Sequence, residues 1–292
     1  MITRPMRACT APPNSGLTFP LLLSGKLDGI RCLYPSKERG PVSRNFKSSL
    51  NRHITKTLKK IAPVGIDGEV ILLGQQFNDT QSAVLTQAGK PDFEYHIFDY
   101  VHRGHLHEPF SKRINRLYYK GLDSRIVIIK QYEVKNIKEL KTAIKMFYRD
   151  GYEGVILRDP EGVYKCGKVT VNEGIIFKIK QFKTITGKIV GFKELMHNTN
   201  DVELDEFGGT KRSKHQAGMM KGNMLGSFEV VFYNKKLDRT VTFNLGTGLD
   251  IPQRISYWKR RKKLIGTDVE YTYQVFGTKI RPRFPSFDRL IK

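Results

Sequence analysis

Hydrophobic and polar positions alternate over short distances along most of the chain, and two longer stretches replace that rhythm with a helical period. LNRHITKTLKKI (50–61) puts Leu50, Ile54, Leu58 and Ile61 on one helical face. NIKELKTAIKMFYRDG (136–151) does the same with Ile137, Leu140, Ile144 and Phe147, and then meets a glycine stop. Around them, PVGIDGEVILLG (63–74), FEYHIFDYV (93–101), SRIVIIKQYEV (124–134), EGVILRD (153–159) and GIIFKIK (174–180) are rich in β-branched and aromatic residues and bounded by Gly, Asn and Asp. That pattern predicts strands. Strands and helices do not alternate regularly, so the expected class is α+β with antiparallel sheets rather than a parallel doubly wound sheet.

Beyond residue 182 helical periodicity thins out. KTITGKIVGFKEL, GSFEVVFYN, RTVTFNLGTG and TDVEYTYQVFG predict strands, and IPQRISYWKRRKKLIG (251–266) predicts one short helix. Four or five strands with one helix fit a small OB-fold β-barrel, a common nucleic-acid-binding module. The polar, Gly-rich stretch 194–224 has no period and is expected to be a long loop. The expected organisation is therefore two domains, 1–181 and 182–292.

Charge changes the picture most. The 292 residues carry 51 Lys and Arg against 28 Asp and Glu, a net charge of +23. Residues 1–181 hold 30 basic and 17 acidic side chains, and residues 182–292 hold 21 and 11. Both halves are basic, which points to a polyanion touching both, nucleic acid above all. No apolar run is long enough to span a bilayer and no basic amphipathic helix stands out, so no membrane partner is expected. The N-terminus lacks an apolar signal core, and an intracellular location follows: cytoplasmic, or the host cytoplasm for a viral protein. Cys9, Cys32 and Cys166 are scattered without a CxxC pair, which argues against a disulfide framework or a structural zinc cluster. HRGHLH (102–107) is expected to be a surface loop, and WKRRKK (258–263) a phosphate-contacting or solvent-facing run.

The candidate chemistry starts at SGKLDGIRCL (24–33), where Lys26, Asp28, Gly29 and Arg31 interrupt an otherwise strand-like segment. A nucleophilic lysine must spend time neutral, and nearby cations such as Arg31, Lys178 and Lys180 favour that state while gripping phosphates. Asp28 could orient the lysine or reach a metal through water. Gly29 removes a side chain where a ligand must approach the backbone. Taken alone, the stretch is equally compatible with a turn held by a salt bridge. IDGEV adds Glu69, HIFDY adds Phe98 and Asp99, EGVIL adds Glu153, and FKIK puts Lys178 and Lys180 on one strand face. Together these supply a nucleophile, two carboxylates for a divalent metal or sugar hydroxyls, an aromatic platform for a base, and paired cations for phosphates. That set suits attack on a nucleoside triphosphate.

Lys26-Leu27-Asp28-Gly29-Ile30-Arg31 resembles the KxDGxR motif of the covalent nucleotidyltransferases, which comprise DNA ligases, RNA ligases and mRNA capping enzymes. Ser43-Arg44, Asp67-Gly68-Glu69, Phe98, Glu153-Gly154-Val155 and Lys178-Ile179-Lys180 resemble the later motifs in the family's order. The tail IRPRFPSFDRL (280–290) resembles the arginine-bearing final motif of small, phage-like ATP-dependent DNA ligases.

The resemblance implies a lysine–AMP intermediate on Lys26, transfer of AMP to the 5′-phosphate of a nick, and sealing by the 3′-hydroxyl. It implies ATP and Mg2+ or Mn2+ as cofactors, and a monomer acting on nicked double-stranded DNA. It makes Glu69 a ribose or metal contact, Phe98 the adenine platform, Glu153 the metal-linked carboxylate, and Lys178 and Lys180 α-phosphate contacts. Arg31 and Arg44 become contacts to AMP or the nick phosphate. Arg283, helped by Lys279 or Arg281, becomes the residue that orients pyrophosphate when the OB domain closes. Lys211, Arg212 and Lys214, in the expected loop, would help to encircle DNA. Two rivals share these features: an RNA ligase with the same core, and a non-catalytic nucleic-acid clamp that never forms a covalent AMP. The family's acidic pair after the paired lysines has no counterpart in QFKTITGK (181–188).

Overall fold

The computed structural model describes residues 2–12, 16–48, 50–74, 77–118, 121–204, 210–235, 237–278 and 280–291. They divide into two compact units, Met1–Lys180 and Gln181–Lys292.

The first unit holds two five-stranded sheets. One has the order β2 (Cys9–Thr10), β12 (Ile176–Lys180), β10 (Gly154–Arg158), β3 (Leu21–Lys26), β9 (Tyr132–Val134). The other has the order β5 (Val42–Ser43), β4 (Ile30–Leu33), β6 (Ile66–Leu72), β7 (Phe93–Tyr100), β8 (Ile126–Ile128). Within them β2 lies parallel to β12 and β8 parallel to β7, while the remaining pairs are antiparallel as the sequence predicts. A separate short parallel pair joins β1 (Met6–Arg7) to β11 (Gly167–Lys168). Each sheet has its own apolar core. Leu23, Val155, Leu157 and Phe177 lie in one, and Cys32, Val70, Phe93, Tyr95 and Ile97 in the other.

Both expected helices form. In α1 (Arg52–Ile61), Asn51 caps the start, its side-chain oxygen accepting from the His53 (2.8 Å) and Ile54 (3.2 Å) amides. In α4 (Ile137–Arg149), Asn136 does the same for Lys138 and Glu139, and Gly151 follows the end at φ 85°. Two helices went unread, α2 (Phe77–Leu85) and α3 (Phe110–Tyr118). The inner face of α3 joins Phe110, Ile114 and Leu117 to a buried arginine, Arg113, and a charge on the apolar face hides the period. The buried face of α2 is only Thr80 and Val84.

The second unit is one five-stranded antiparallel sheet in the order β17 (Arg239–Leu245), β16 (Met219–Asn234), β13 (Phe182–Asn198), β18 (Asp268–Gln274), β19 (Arg283–Ile291). This is the expected OB-like domain, although among the described residues no continuous ladder closes the barrel. The two ends of the sheet meet through one bridge, Thr247 with Ser286, where the Phe287 amide donates to the Thr247 carbonyl at 2.8 Å. The domain is OB-like, with a point contact where a barrel has a ladder.

Among its described residues, the stretch 194–224 is not the long loop expected from the sequence. β13 stays paired with β16 out to Asn198 opposite Met219, and β14 (Val202–Leu204) pairs with β15 (Thr210–Arg212) beyond it. Register shifts at 189/191, 193/194 and 194/196 break the alternation of residues, and the outer part of this hairpin is mostly exposed on both faces. Neither a period of two nor an apolar face was left to read. The single helix expected over 251–266 is two, α5 (Ile251–Lys259) and α6 (Arg261–Leu264). The Arg261 guanidinium donates to the Trp258 carbonyl at 2.7 Å and lies 4.3 Å from its ring centroid, tying the restart to the end of α5.

Candidate active site

The KLDGIR segment crosses between the two sheets of the first unit. Lys26 ends β3 in one sheet, Leu27–Gly29 make the crossing, and Arg31 sits in β4 of the other. Asp28 and Gly29 are therefore in a turn rather than inside a strand, which explains residues that strands avoid. The Gly29 amide donates to Glu69 Oε2 at 3.1 Å. A side chain at Gly29 would press on the Val70 carbonyl and Ile71. The glycine thus lets the crossing lie flat on β6 while its own amide anchors a site carboxylate.

Three strands converge on one carboxylate. In β10, Gly154 is the cross-strand neighbour of both Lys26 on β3 and Lys180 on β12. Glu153, just before it, is only 2% exposed and bridges the two ammonium groups: it pairs with Lys26 Nζ, and with Lys180 Nζ at 2.5 Å. The two lysines are 20% and 23% exposed, so each reaches the surface at its tip. Burial pushes the Glu153 carboxyl up, but Lys26 and Lys180 together outweigh it and hold the group below the usual carboxylate range. Lys178, also on β12, is moved down by burial and by the charges of Lys180, Lys26, Lys168 and Arg44. Lys26, Lys178 and Lys180 thus outnumber the one carboxylate that bridges them. Glu69 is displaced upward by burial, against the opposing pull of Lys26 and Arg31.

Gly154 has no room for a side chain, since a Cβ there would lie 2.0 Å from the Ile179 carbonyl oxygen. Gly154→Ala is expected to push β10 away from β12, separating Glu153 from Lys180. Overpacking of this kind costs about 1–3 kcal/mol. Chemical unfolding together with amide exchange across β10 and β12 measures it, and unchanged exchange would show that the strand adapts.

Arg31 is held by a residue that the sequence reading placed in a motif but gave no role of its own. Its Nε and Nη2 each donate to the buried Asp67 carboxylate at 2.6 Å, and Nη2 also reaches the Met6 carbonyl at 3.3 Å. Tyr164 donates to the same carboxylate at 3.2 Å. Burial would lower the Arg31 pKa, but Asp67 raises it, so the guanidinium stays charged. It lies 4.5 Å from the Phe98 ring centroid. Phe98 sits at a bulge, where the register between β6 and β7 shifts.

Behind Phe98, Asp99 is fully buried and accepts from two arginines. Arg113 contributes bonds of 2.9 and 3.1 Å and Arg158 one of 2.6 Å. Arg158 also lies 4.3 Å from the Phe110 centroid and 5.6 Å from that of Phe98. Asp67, two residues before Glu69 on the same strand, and Asp99, next to Phe98, were legible as spacing. Arg113 and Arg158 carried no such signal.

The structure thus brings Lys26, Glu153, Lys178 and Lys180 together, with Arg44 exposed on the turn after β5 and close enough to act on Lys178. Arg31 and Glu69 are cross-strand neighbours on β4 and β6. Asp28 is half-buried in the crossing turn. Arg283 belongs to the second unit, where it starts β19, donates to the Phe276 carbonyl at 3.4 Å and lies 5.2 Å from the Phe284 ring centroid. Lys279 lies outside the described residues, and Arg281 is exposed. Lys211 and Arg212 are in β15, with Arg212 donating to the Asn200 carbonyl, and Lys214 is exposed just beyond. His102 and His105 pack against Tyr100. Among the described residues no group of three or more His, Cys, Asp or Glu is placed to hold a metal ion, and no helix is long and apolar enough to cross a membrane.

Comparison with known proteins gives this arrangement a family. The model of the ATP dependent DNA ligase domain matches residues 18–180, more than half of the chain, and that of the DNA ligase OB-like domain matches residues 218–290. The chain belongs to the ATP-dependent DNA ligase family. Among solved ligases, the Chlorella virus DNA ligase–adenylate is 30% identical, aligned over 100% of this chain and 99% of its own, with a TM-score of 0.57. A Lig E DNA ligase shares the fold at a TM-score of 0.71, with 21% identity and 100% of both chains covered. The DNA ligase of African swine fever virus (isolate Tick/Malawi/Lil 20-1/1983) is 24% identical over 172 residues, 54% of this chain. The match spans 41% of the length of that viral ligase.

Proposed function

We propose that the protein seals nicks in double-stranded DNA as an ATP-dependent ligase, using Lys26 as the nucleophile. One observation supports this above the others: a single buried carboxylate, Glu153, holds Lys26 beside Lys180, with Lys178 near both. Lys26 Nζ attacks the α-phosphorus of ATP, a P–N bond forms, the α–β P–O bond breaks, and pyrophosphate leaves. AMP then passes to the 5′-phosphate at the nick, and the 3′-hydroxyl displaces it as the strand closes. Each step has an activated leaving group, which the uncatalysed condensation lacks.

Lys178 and Lys180 hold α-phosphate oxygens, where fixed cations stabilise the charge that develops in the transition state. Phe98 offers the adenine a platform. Arg283 keeps the role its motif implies, orienting the leaving pyrophosphate. Magnesium, with manganese as a substitute, commonly takes one or two protein carboxylates and completes its shell from water and substrate phosphates. Glu69 and Glu153, close enough for their charges to act on each other, are the carboxylates that would hold the ion, each keeping its present partner at one oxygen or exchanging it, and the ion would supply charge neutralisation at the phosphates. Lys211, Arg212 and Lys214 on the hairpin of the second unit are assigned to the DNA backbone, and the protein acts as a monomer.

Incubation with ATP and magnesium, followed by intact-mass and peptide mass spectrometry, is expected to find one AMP on Lys26 and none on a Lys26→Ala variant. A wild-type protein that carries no AMP, before or after pyrophosphate treatment and recharging, would overturn the enzymatic reading in favour of a non-catalytic clamp. A nicked duplex offered with ATP or NAD is expected to be sealed with ATP alone. Faster sealing of an RNA-ended nick would move the substrate class to RNA.

A further inference from the structure

We infer that α1 and the segment 87–90 form a second nucleic-acid site, a cationic groove that grips phosphodiester backbone apart from the Lys26 centre. The groove encloses about 800 Å³. Arg52, Lys56 and Lys60 line one wall at successive four-residue steps of α1, and Lys90 and Arg125 lie among its other residues. All five side chains are exposed, and among the described residues none is in an ion pair. The only carboxylate among the lining residues, Asp123, already accepts from the Arg125 amide at 3.0 Å.

Two observations separate this from an ordinary solvated helix face. The walls are fixed to each other by one buried residue. Asn51 caps α1 with its oxygen, while its side-chain nitrogen donates to the carbonyls of Thr86 (2.8 Å), Ala88 (2.8 Å) and Gly89 (3.4 Å). The Arg52 amide adds a bond to the Gln87 carbonyl at 3.2 Å. The groove is therefore preformed, and binding does not have to order it.

The second observation is the placement of Arg52 itself. It occupies the first turn of α1, and no acidic residue shares that turn. A cation there faces the positive end of the helix dipole, a position that favours carboxylates. Helix stability gives no reason for it, whereas a phosphate docked at that end gains from the arginine and the dipole together. Three cations at four-residue steps lie on one side of the helix about 6 Å apart along its axis. Such a row suits the repeating charge of one strand, and contacts of this kind position a duplex without reading its sequence.

The test uses the full chain, a fluorescein-labelled nicked duplex and anisotropy over a range of salt concentrations. Arg52→Glu/Lys56→Glu/Lys60→Glu is expected to weaken binding at low salt by about tenfold or more. It should also flatten the plot of log affinity against log salt by about 2 to 3, since each lost phosphate contact removes about 0.9. Adenylation of Lys26 by ATP needs no DNA, so it is expected to proceed at the wild-type rate. That readout keeps a failure of this site distinct from a failure of the ligase reading. Arg52→Glu alone is expected to keep or raise the thermal midpoint while lowering affinity, a pair of effects that a purely structural residue does not give. A triple variant with wild-type affinity and slope would overturn the proposal. So would a loss of affinity that comes with slower adenylation and a lower midpoint.

Discussion

Glu153→Ala is expected to slow the charging of Lys26 with AMP by about 100-fold or more, while leaving the protein folded. The rate follows from geometry. Lys26 ends a strand and its side chain is long, so the direction of Nζ depends on what holds it. In the structure that is chiefly the Glu153 carboxylate, which ties the same residue to Lys180, with the Leu27 carbonyl as a second acceptor at 3.1 Å. Loss of positioning at a reacting atom costs on the order of 100-fold even when every other group remains. The modest effect on stability follows from exposure. Both lysines reach the surface, so without the carboxylate they turn to water instead of being stranded as buried charges.

Glu153→Gln sharpens the test. It keeps the shape and one acceptor but removes the charge that balances Lys26, Lys178 and Lys180. It is expected to fall between wild type and alanine in charging rate, with a thermal midpoint close to wild type. Single-turnover incorporation of labelled AMP, measured beside the unfolding midpoint, separates these effects. A Glu153→Ala enzyme that charges at the wild-type rate would mean that another group aims the lysine.

Sequence and structure agree best where a residue's local conformation depends on its neighbours in the chain. Asp28 and Gly29 lie in the crossing turn, with Lys26 ending the strand before it and Arg31 in the strand after it, and their spacing alone flags an interruption between strands. The α1 and α4 helices were legible because their apolar faces are uninterrupted and asparagines cap them. What escaped was set by partners distant in sequence. Arg113 disguised α3 as irregular because its charge is neutralised by Asp99, fourteen residues away in the chain. The engagement of the Arg31 guanidinium by Asp67 and Phe98 was not read from the sequence. The long hairpin of β13 and β16 was missed because its bulges erase alternation and its outer part buries little. A period-based reading finds elements that pack against a core and passes over those that extend away from it. The cationic groove on α1 was half visible: the buried face announced the helix, but Asn51's hold on residues 86–89 gave no signal in the sequence.

Asp99→Asn is expected to destabilise the first unit by about 3–5 kcal/mol, the range for removing one partner of a buried ion pair and stranding the other. Here two arginines depend on the same carboxylate. Asp99 and Arg113 are completely buried and Arg158 nearly so. Arg113 keeps carbonyl partners at Gly162 (3.1 Å) and Glu108 (2.5 Å), but these satisfy its hydrogen bonds and leave its charge unbalanced. The pH dependence has a definite sign. Burial opposes ionisation of Asp99, yet Arg158 and Arg113 hold its pKa below the ordinary aspartate value. A carboxyl lowered in the folded state stabilises fully above its unfolded pKa, about 3.9, and loses that contribution as pH falls through the folded value. The difference between wild type and Asp99→Asn is therefore expected to be flat from pH 7 to 5 and to shrink only in stronger acid. Replacing all three charges by apolar residues of similar volume is expected to recover most of the loss, since buried ionic clusters often exchange for hydrophobic packing at little net cost. Urea unfolding, followed by amide exchange in β6 and β7, reads the stability of this unit separately from the other. A single Asp99→Asn variant as stable as wild type would show that water or a rearranged carboxylate reaches the two arginines. Adenylation in the stabilised triple variant carries the functional half of the result. Arg158 packs on Phe110 and near Phe98, so restored stability with slow charging would mean that the charged cluster sets the position of the aromatic platform as well as holding the core.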